Sequence, residues 1–169
     1  MQFYNYARRE VNLIHHCLEQ KAKHGENLSV FIGTDSLSIG GTVHYFVVIA
    51  FRYDHNGAHF IFSKEKVPTY RKPDGKPDIF TKLWRECQLT MELSESLVNQ
   101  GIFTRNEIII ELDYNSVVET ISKPLIPATK GWATGLGYQC LTKYGEYVFV
   151  NGERIYEQIA VKALRYIAN

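Results

Sequence analysis

The chain has almost no net charge: 19 lysines and arginines face 18 aspartates and glutamates, leaving a formal +1 at neutral pH. That excludes an overall basic coat of the kind that binds nucleic acid indiscriminately, so any such contact must come from a local patch. Cysteine is scarce and odd in number. Cys17, Cys87 and Cys140 are far apart and sit among apolar residues, which excludes a disulfide framework and a zinc pattern and makes a reducing cytoplasm the expected compartment. No apolar run approaches the roughly 18 residues that a membrane span requires. The opening Met1-Gln2-Phe3-Tyr4-Asn5 lacks the charged-then-apolar order of an export leader. A dinucleotide fingerprint is missing too, because Gly131, Gly135 and Gly137 have the wrong spacing and do not open a helix after a strand. Asp35-Ser36-Leu37 is no nucleophile elbow, and no histidine stands at a strand end to activate the Ser36 hydroxyl.

What is present suits one compact core. At 169 residues, 45% hydrophobic and 13% aromatic, the chain is long enough for a single domain over 1–169 and too short for two ordinary ones. Ala7, Val11, Ile14, Leu18 and Ala22 recur at helical spacing, so residues 1–25 read as a helix appended to that core and ended by Gly25. His15 and His16 are adjacent, point about 100° apart on such a helix, and cannot share one metal.

Val30-Phe31-Ile32-Gly33-Thr34-Asp35-Ser36 reads as a central strand buried on both faces, because a strand with one wet face would alternate. Its apolar run delivers a carboxylate and a hydroxyl where the sheet is expected to run out, the edge at which ligands collect in open α/β sheets. The plainer reading of Asp35 is a turn cap. The pair Gly40-Gly41 supplies a reversal, 44–53 is a second strand, Asn56-Gly57 is a hairpin turn, and Ala58 to Val67 is a third strand completing an antiparallel meander. The loop from Pro68 to Asp78 mixes Tyr70 and Arg71 with other charges and reads as a solvated connector that could also grip phosphate.

A long helix follows, about Asp78 to Asn99, with an apolar stripe of Ile79, Leu83, Thr90, Leu93 and Leu97. Glu86 fills the gap in that stripe, about 40° from its centre, while Glu92 and Glu95 lie on the wet side. A carboxylate turned toward a core demands a partner there: an arginine, another cation or a metal ion. After Gly101, the strand Glu107 to Asp113 again ends in aspartate, and the helix before it implies a right-handed crossover that sets it parallel to a meander strand. A second helical region, about Ser122 to Leu136, is expected to be broken early by Pro124 and Pro127. Tyr138 to Val150 reads as a last strand with a possible hairpin at 143–146, Asn151-Gly152 as a turn, and Glu153 to Ile167 as a final helix with Ile155, Ile159, Leu164 and Ile167 on one side.

Three acids brought together would raise one another's pKa unless divalent cations neutralise them. Oxygen ligands without nearby histidine or cysteine suit Mg²⁺ or Mn²⁺ rather than zinc. Paired ions of this kind are the recurrent device of nucleases.

The order of strands, helices and acids resembles the ribonuclease H-like fold, and in detail the YkuK family of ribonuclease H-like nucleases. The resemblance is carried by Ile32-Gly33-Thr34-Asp35-Ser36, Leu83-Trp84-Arg85-Glu86, Glu111-Leu112-Asp113 and the Gly137-Tyr138 turn leading to Lys143. It implies an α/β domain with a mixed five-stranded sheet, a three-strand antiparallel meander plus parallel strands, and helices on both faces. It further implies that Asp35, Glu86 and Asp113 are the catalytic, metal-binding acids. Members usually place a fourth acid at or near the last helix. This chain offers only Glu153 and Glu157 there, spacing does not choose between them, and Glu157 is carried as the candidate ligand.

The expectation is therefore a Mg²⁺- or Mn²⁺-dependent phosphodiesterase acting on nucleic acid, with Ser36, Arg71 and Lys143 meeting the substrate. The rival, motivated by the missing fourth acid and the near-neutral charge, is a catalytically silent module that binds nucleic acid or protein. Both require no membrane, and the nuclease requires oxygens from positions 35, 86 and 113 to converge.

Overall fold

The computed structural model describes residues 1–54, 56–114, 119–142, 147–155 and 158–167. The meander is built as the sequence implies: β3 (Leu28–Ile39), β4 (Thr42–Tyr53) and β5 (Ala58–Pro68) pair antiparallel in succession. Gly40 and Gly41 turn β3 into β4 with φ of 55° and 80°, a two-residue reversal that requires the left-handed region at both positions. Helix α2 (Ile79–Asn99) then crosses over to β6 (Ile108–Leu112), which lies parallel to β3. Helix α3 (Glu119–Gly135) leads to β7 (Gln139–Thr142), parallel to β6. The crossover packs tightly: a Cβ on Gly33 would lie 3.2 Å from the Glu111 Cβ and 3.3 Å from the Glu111 carbonyl oxygen, so any side chain there requires β6 to give by a few tenths of an ångström.

The main sheet has seven strands rather than five, in the order β2-β1-β5-β4-β3-β6-β7. The extra pair comes from the N-terminus, where a single helix was expected. Residues 3–5 (β1) and 10–11 (β2) form a hairpin on the edge of β5, and only Leu13–His24 (α1) is helical. Its inward face also differs from the apolar count. Cys17 and Gln20 are buried while Leu18 and Ala22 are exposed, because Gln20 accepts from the Tyr53 hydroxyl at 2.7 Å and His24 stacks on the Tyr53 ring at 3.8 Å. Polar groups with partners take places that a hydrophobic tally assigns to leucine.

The C-terminal third departs further. Helix α3 starts at Glu119 and carries Pro124 and Pro127 inside it. Both prolines are exposed, so water can meet the carbonyls they leave without an amide. Residues 148–150 (β8) and 153–155 (β9) make a separate antiparallel pair, so Glu153 lies in a strand, and the last helix, α4, spans only Ile159–Ile167. Among the described residues Ala160, Val161 and Ala163 are its buried ones, and Ile159 and Ile167 of the predicted face pack, partly buried, against the same layer, as does Ile155 of β9. The predicted hairpin at 143–146 lies outside the described residues.

Two apolar layers result. One face of the sheet packs Val30, Ile32, Val47 and Ile110 against α1, α2 and α3; the other packs Phe31, Val48 and Ile109 against α4 and the β8–β9 pair. No helix among the described residues is long and apolar enough to cross a membrane.

Candidate functional site

The ladder between β3 and β6 runs from Val30 opposite Ile108 to Gly33 opposite Glu111 and stops there. Strand β3 continues to Ile39 against β4 alone, so Asp35 does not end its strand. It lies where the parallel partner runs out. Continuing the register by two residues sets Asp35 beside Asp113, which follows the last residue of β6. Both aspartates thus reach the open end of the parallel pair, as the strand pattern implied.

Glu86 arrives from above one face. Helix α2 turns Leu83, Glu86, Thr90, Leu93 and Leu97 inward, and Glu86 is only 4% exposed. Among the described residues no arginine is hydrogen-bonded or ion-paired to it. The Ser36 hydroxyl donates to Oε1 at 2.5 Å, and Oε2 is buried without a hydrogen-bond partner among the described residues. Its pKa is pushed well above the ordinary carboxylate value, first by burial and then by the charge of Asp35. The Ser36 hydrogen bond and the Lys82 ammonium oppose that rise, and Asp113 adds to it. Asp35 and Asp113 are therefore both close enough to act on Glu86.

The sheet nevertheless lies between them. Cross-strand partners share a face. Ser36 is opposite Tyr45, in the layer under α2, whereas Asp35 is opposite Phe46, in the layer under α4. Asp35 and Glu86 thus approach the gap that β6 leaves from opposite faces of the sheet, and among the described residues no three His, Cys, Asp or Glu side chains are grouped closely enough to hold one metal ion. The donor chemistry suits a hard divalent cation: oxygen ligands only, with one buried carboxylate oxygen lacking a partner. A cation here would also offset the burial and the aspartate charges that raise the Glu86 pKa.

Two groups escaped the sequence reading. Glu111, inside β6, is fully buried and accepts from the backbone N–H groups of Ile159 at 2.5 Å and Val161 at 2.9 Å, which fixes the start of α4 beside the site. Burial pushes its pKa up to about 7 against those hydrogen bonds, with Asp113 adding to the rise. The signal was present: a carboxylate in the middle of Ile-Ile-Ile-Glu-Leu is as anomalous as Glu86 in its helix. Lys82, one turn before Glu86 on α2, is the cation that opposes the rise in the Glu86 pKa.

The expected substrate contacts divide. The Ser36 hydroxyl is committed to Glu86. Arg71 is exposed and donates to the Gly75 carbonyl at 2.8 Å within its own loop. Lys143 and Glu157 lie outside the described residues.

A family model described as ribonuclease H-like matches residues 11–148, most of the chain. No curated protein and no solved structure matches it.

Proposed function

This chain belongs to the ribonuclease H-like family, and from that premise we propose a divalent-metal-dependent nuclease that hydrolyses phosphodiester bonds of nucleic acid. Family membership by itself supports a nuclease-like or nucleic-acid-binding module. The finer reading is supported above all by Glu86, a buried carboxylate with one partnerless oxygen, under the charges of two aspartates at the open end of β3 and β6.

In this proposal Asp35, Glu86 and Asp113 hold Mg²⁺ or Mn²⁺, with Glu157 as the fourth acid. The ion supplies an activated water and charge neutralisation at the phosphate. Ser36 orients Glu86 by fixing Oε1 and leaving Oε2 available. Lys82, Arg71 and Lys143 bind phosphate oxygens by charge-assisted hydrogen bonds. The pull of α4 on Glu111 keeps the end of β6, and hence Asp113, in place.

The test is a Mn²⁺-supplemented cleavage panel of RNA, DNA and hybrid substrates, run with the wild type and Asp35→Asn side by side. The variant is expected to lose about 100-fold or more in rate while keeping its circular dichroism spectrum. Cleavage at the wild-type rate by that variant refutes the assignment. One observation favours a second reading, a silent binding module: no three acids converge among the described residues. That module would retain oligonucleotides in the same panel and cut none, with or without Mn²⁺.

A further inference from the structure

Beyond Gly33 the meander projects past the parallel half of the sheet, since β6 ends its pairing there while β3, β4 and β5 remain paired out to Ile39, Thr42 and Pro68. On the α4 side of this arm the alternating positions form two cross-strand rows. Asp35, Phe46 and Lys64 make the first, and Leu37, His44 and Lys66 the second. The N-terminal hairpin walls the arm, with Tyr4 opposite Phe62 and Arg8 in the turn, where it adopts φ of 58°, a conformation seldom taken by arginine. Ile167 of α4 closes the inner end. The groove so enclosed has a volume of about 580 Å³.

Its chemistry is one-sided. The floor is apolar, from Phe46, Phe62, Leu37 and Ile39, and the rim carries Arg8, Lys64 and Lys66, with no carboxylate among the described residues of the lining. In a protein of formal charge +1 this is a local concentration of cations. Among the described residues none of the three is held in an ion pair. The Lys64 ammonium lies 5.3 Å over the Phe46 ring. The first row leads directly to Asp35.

We propose that this groove binds a single-stranded segment of nucleic acid, its phosphates on Arg8, Lys64 and Lys66 and an unstacked base on the apolar floor, and leads the strand to Asp35. Charge complementarity selects a polyanion over an apolar ligand. The recessed aromatic floor selects a single strand over a duplex, whose bases are already stacked and turned inward. This inference rests on the nuclease reading for its direction toward Asp35, but the binding step stands apart from cleavage.

The experiment measures anisotropy of labelled ten-nucleotide oligouridylate and oligothymidylate, and of a duplex of equal length, with EDTA present so that no metal and no turnover contribute. The wild type is compared with the Lys64→Gln/Lys66→Gln double variant and with Lys72→Gln/Lys76→Gln in the exposed loop. The groove variant is expected to bind the single strand at least tenfold more weakly, with a salt slope shallower by roughly 1.4, since each phosphate contact on a single strand contributes about 0.7. The loop variant should bind as the wild type does, and the two oligonucleotides report whether ribose matters. Both groove lysines are exposed, and an unchanged melting temperature confirms that folding is not at issue. Unchanged affinity in the groove variant, or a duplex bound as tightly as a single strand, overturns the proposal. Weaker binding by the groove variant in a protein that cuts nothing sustains the groove and removes the nuclease reading. Normal binding by the groove variant beside a cleavage-dead Asp35→Asn does the reverse.

Discussion

At the scale of single residues, polar groups account for most of the departures from a hydrophobic count. His16 on α1 and His59 on β5 face each other with their Nε2 atoms 2.9 Å apart. One ring must donate and the other accept, so at least one must be neutral. Burial lowers the pKa of both below 6.5; Glu19 opposes this at His16, while His15 there and His16 at His59 reinforce it. The unfolded chain therefore takes up protons that the folded one resists, and the pair's stabilisation is complete above pH 6.5 and lost as pH falls through the lowered values. Partial solvent exposure of both rings keeps this effect small, and it reads as a fall in Tm on acidification. Melting curves between pH 7.5 and 5 are expected to show that slope in the wild type and a smaller one in His59→Gln; equal slopes would assign the pH dependence elsewhere.

At the scale of elements, α4 is attached by an unusual device. Nine residues long, it sends the backbone N–H groups of Ile159 and Val161 to a carboxylate in the middle of a buried strand, where a helix start more often finds its acceptor in an adjacent capping residue. Truncating Glu111→Ala leaves those donors buried without an acceptor, a loss of about 1–3 kcal/mol. Glu111→Gln keeps one acceptor oxygen and should recover part of it. Hydrogen exchange is expected to show protection falling first across Ile159–Ile167 in the alanine variant. Amides of α4 as protected as in the wild type would mean that apolar packing alone holds the helix. The same scale explains the misread ends of the chain. Short, weakly periodic pieces such as Phe3–Asn5 and Glu153–Ile155 become strands only because an edge or a neighbouring strand offers them hydrogen bonds.

At the scale of the whole molecule, the two faces of one sheet form two separate cores, and the chain's thiols report on one of them. Cys17, Cys87 and Cys140 are all buried in the layer beneath α1, α2 and α3, and burial pushes the first two up to about 12. The native protein is expected to react with fewer than one equivalent of a thiol reagent over minutes and with all three cysteines once unfolded by denaturant. Rapid stoichiometric labelling in native buffer would show that this layer opens far more readily than its packing implies. The strands of the meander, the long helix and the inward Glu86 were legible from residue order alone, because long runs of β-branched residues and a single break in a helical stripe are local signals. Asp113 was legible as an acid at the end of its strand for the same reason, whereas Asp35, read the same way, lies inside β3 where only its parallel partner runs out. What only the tertiary structure decided is which side of the sheet each acid occupies, that Glu111 fastens α4, and that Arg8, Lys64 and Lys66 border one groove, because cross-strand register and crossover depth bring together residues whose spacing in the chain carries no trace of it.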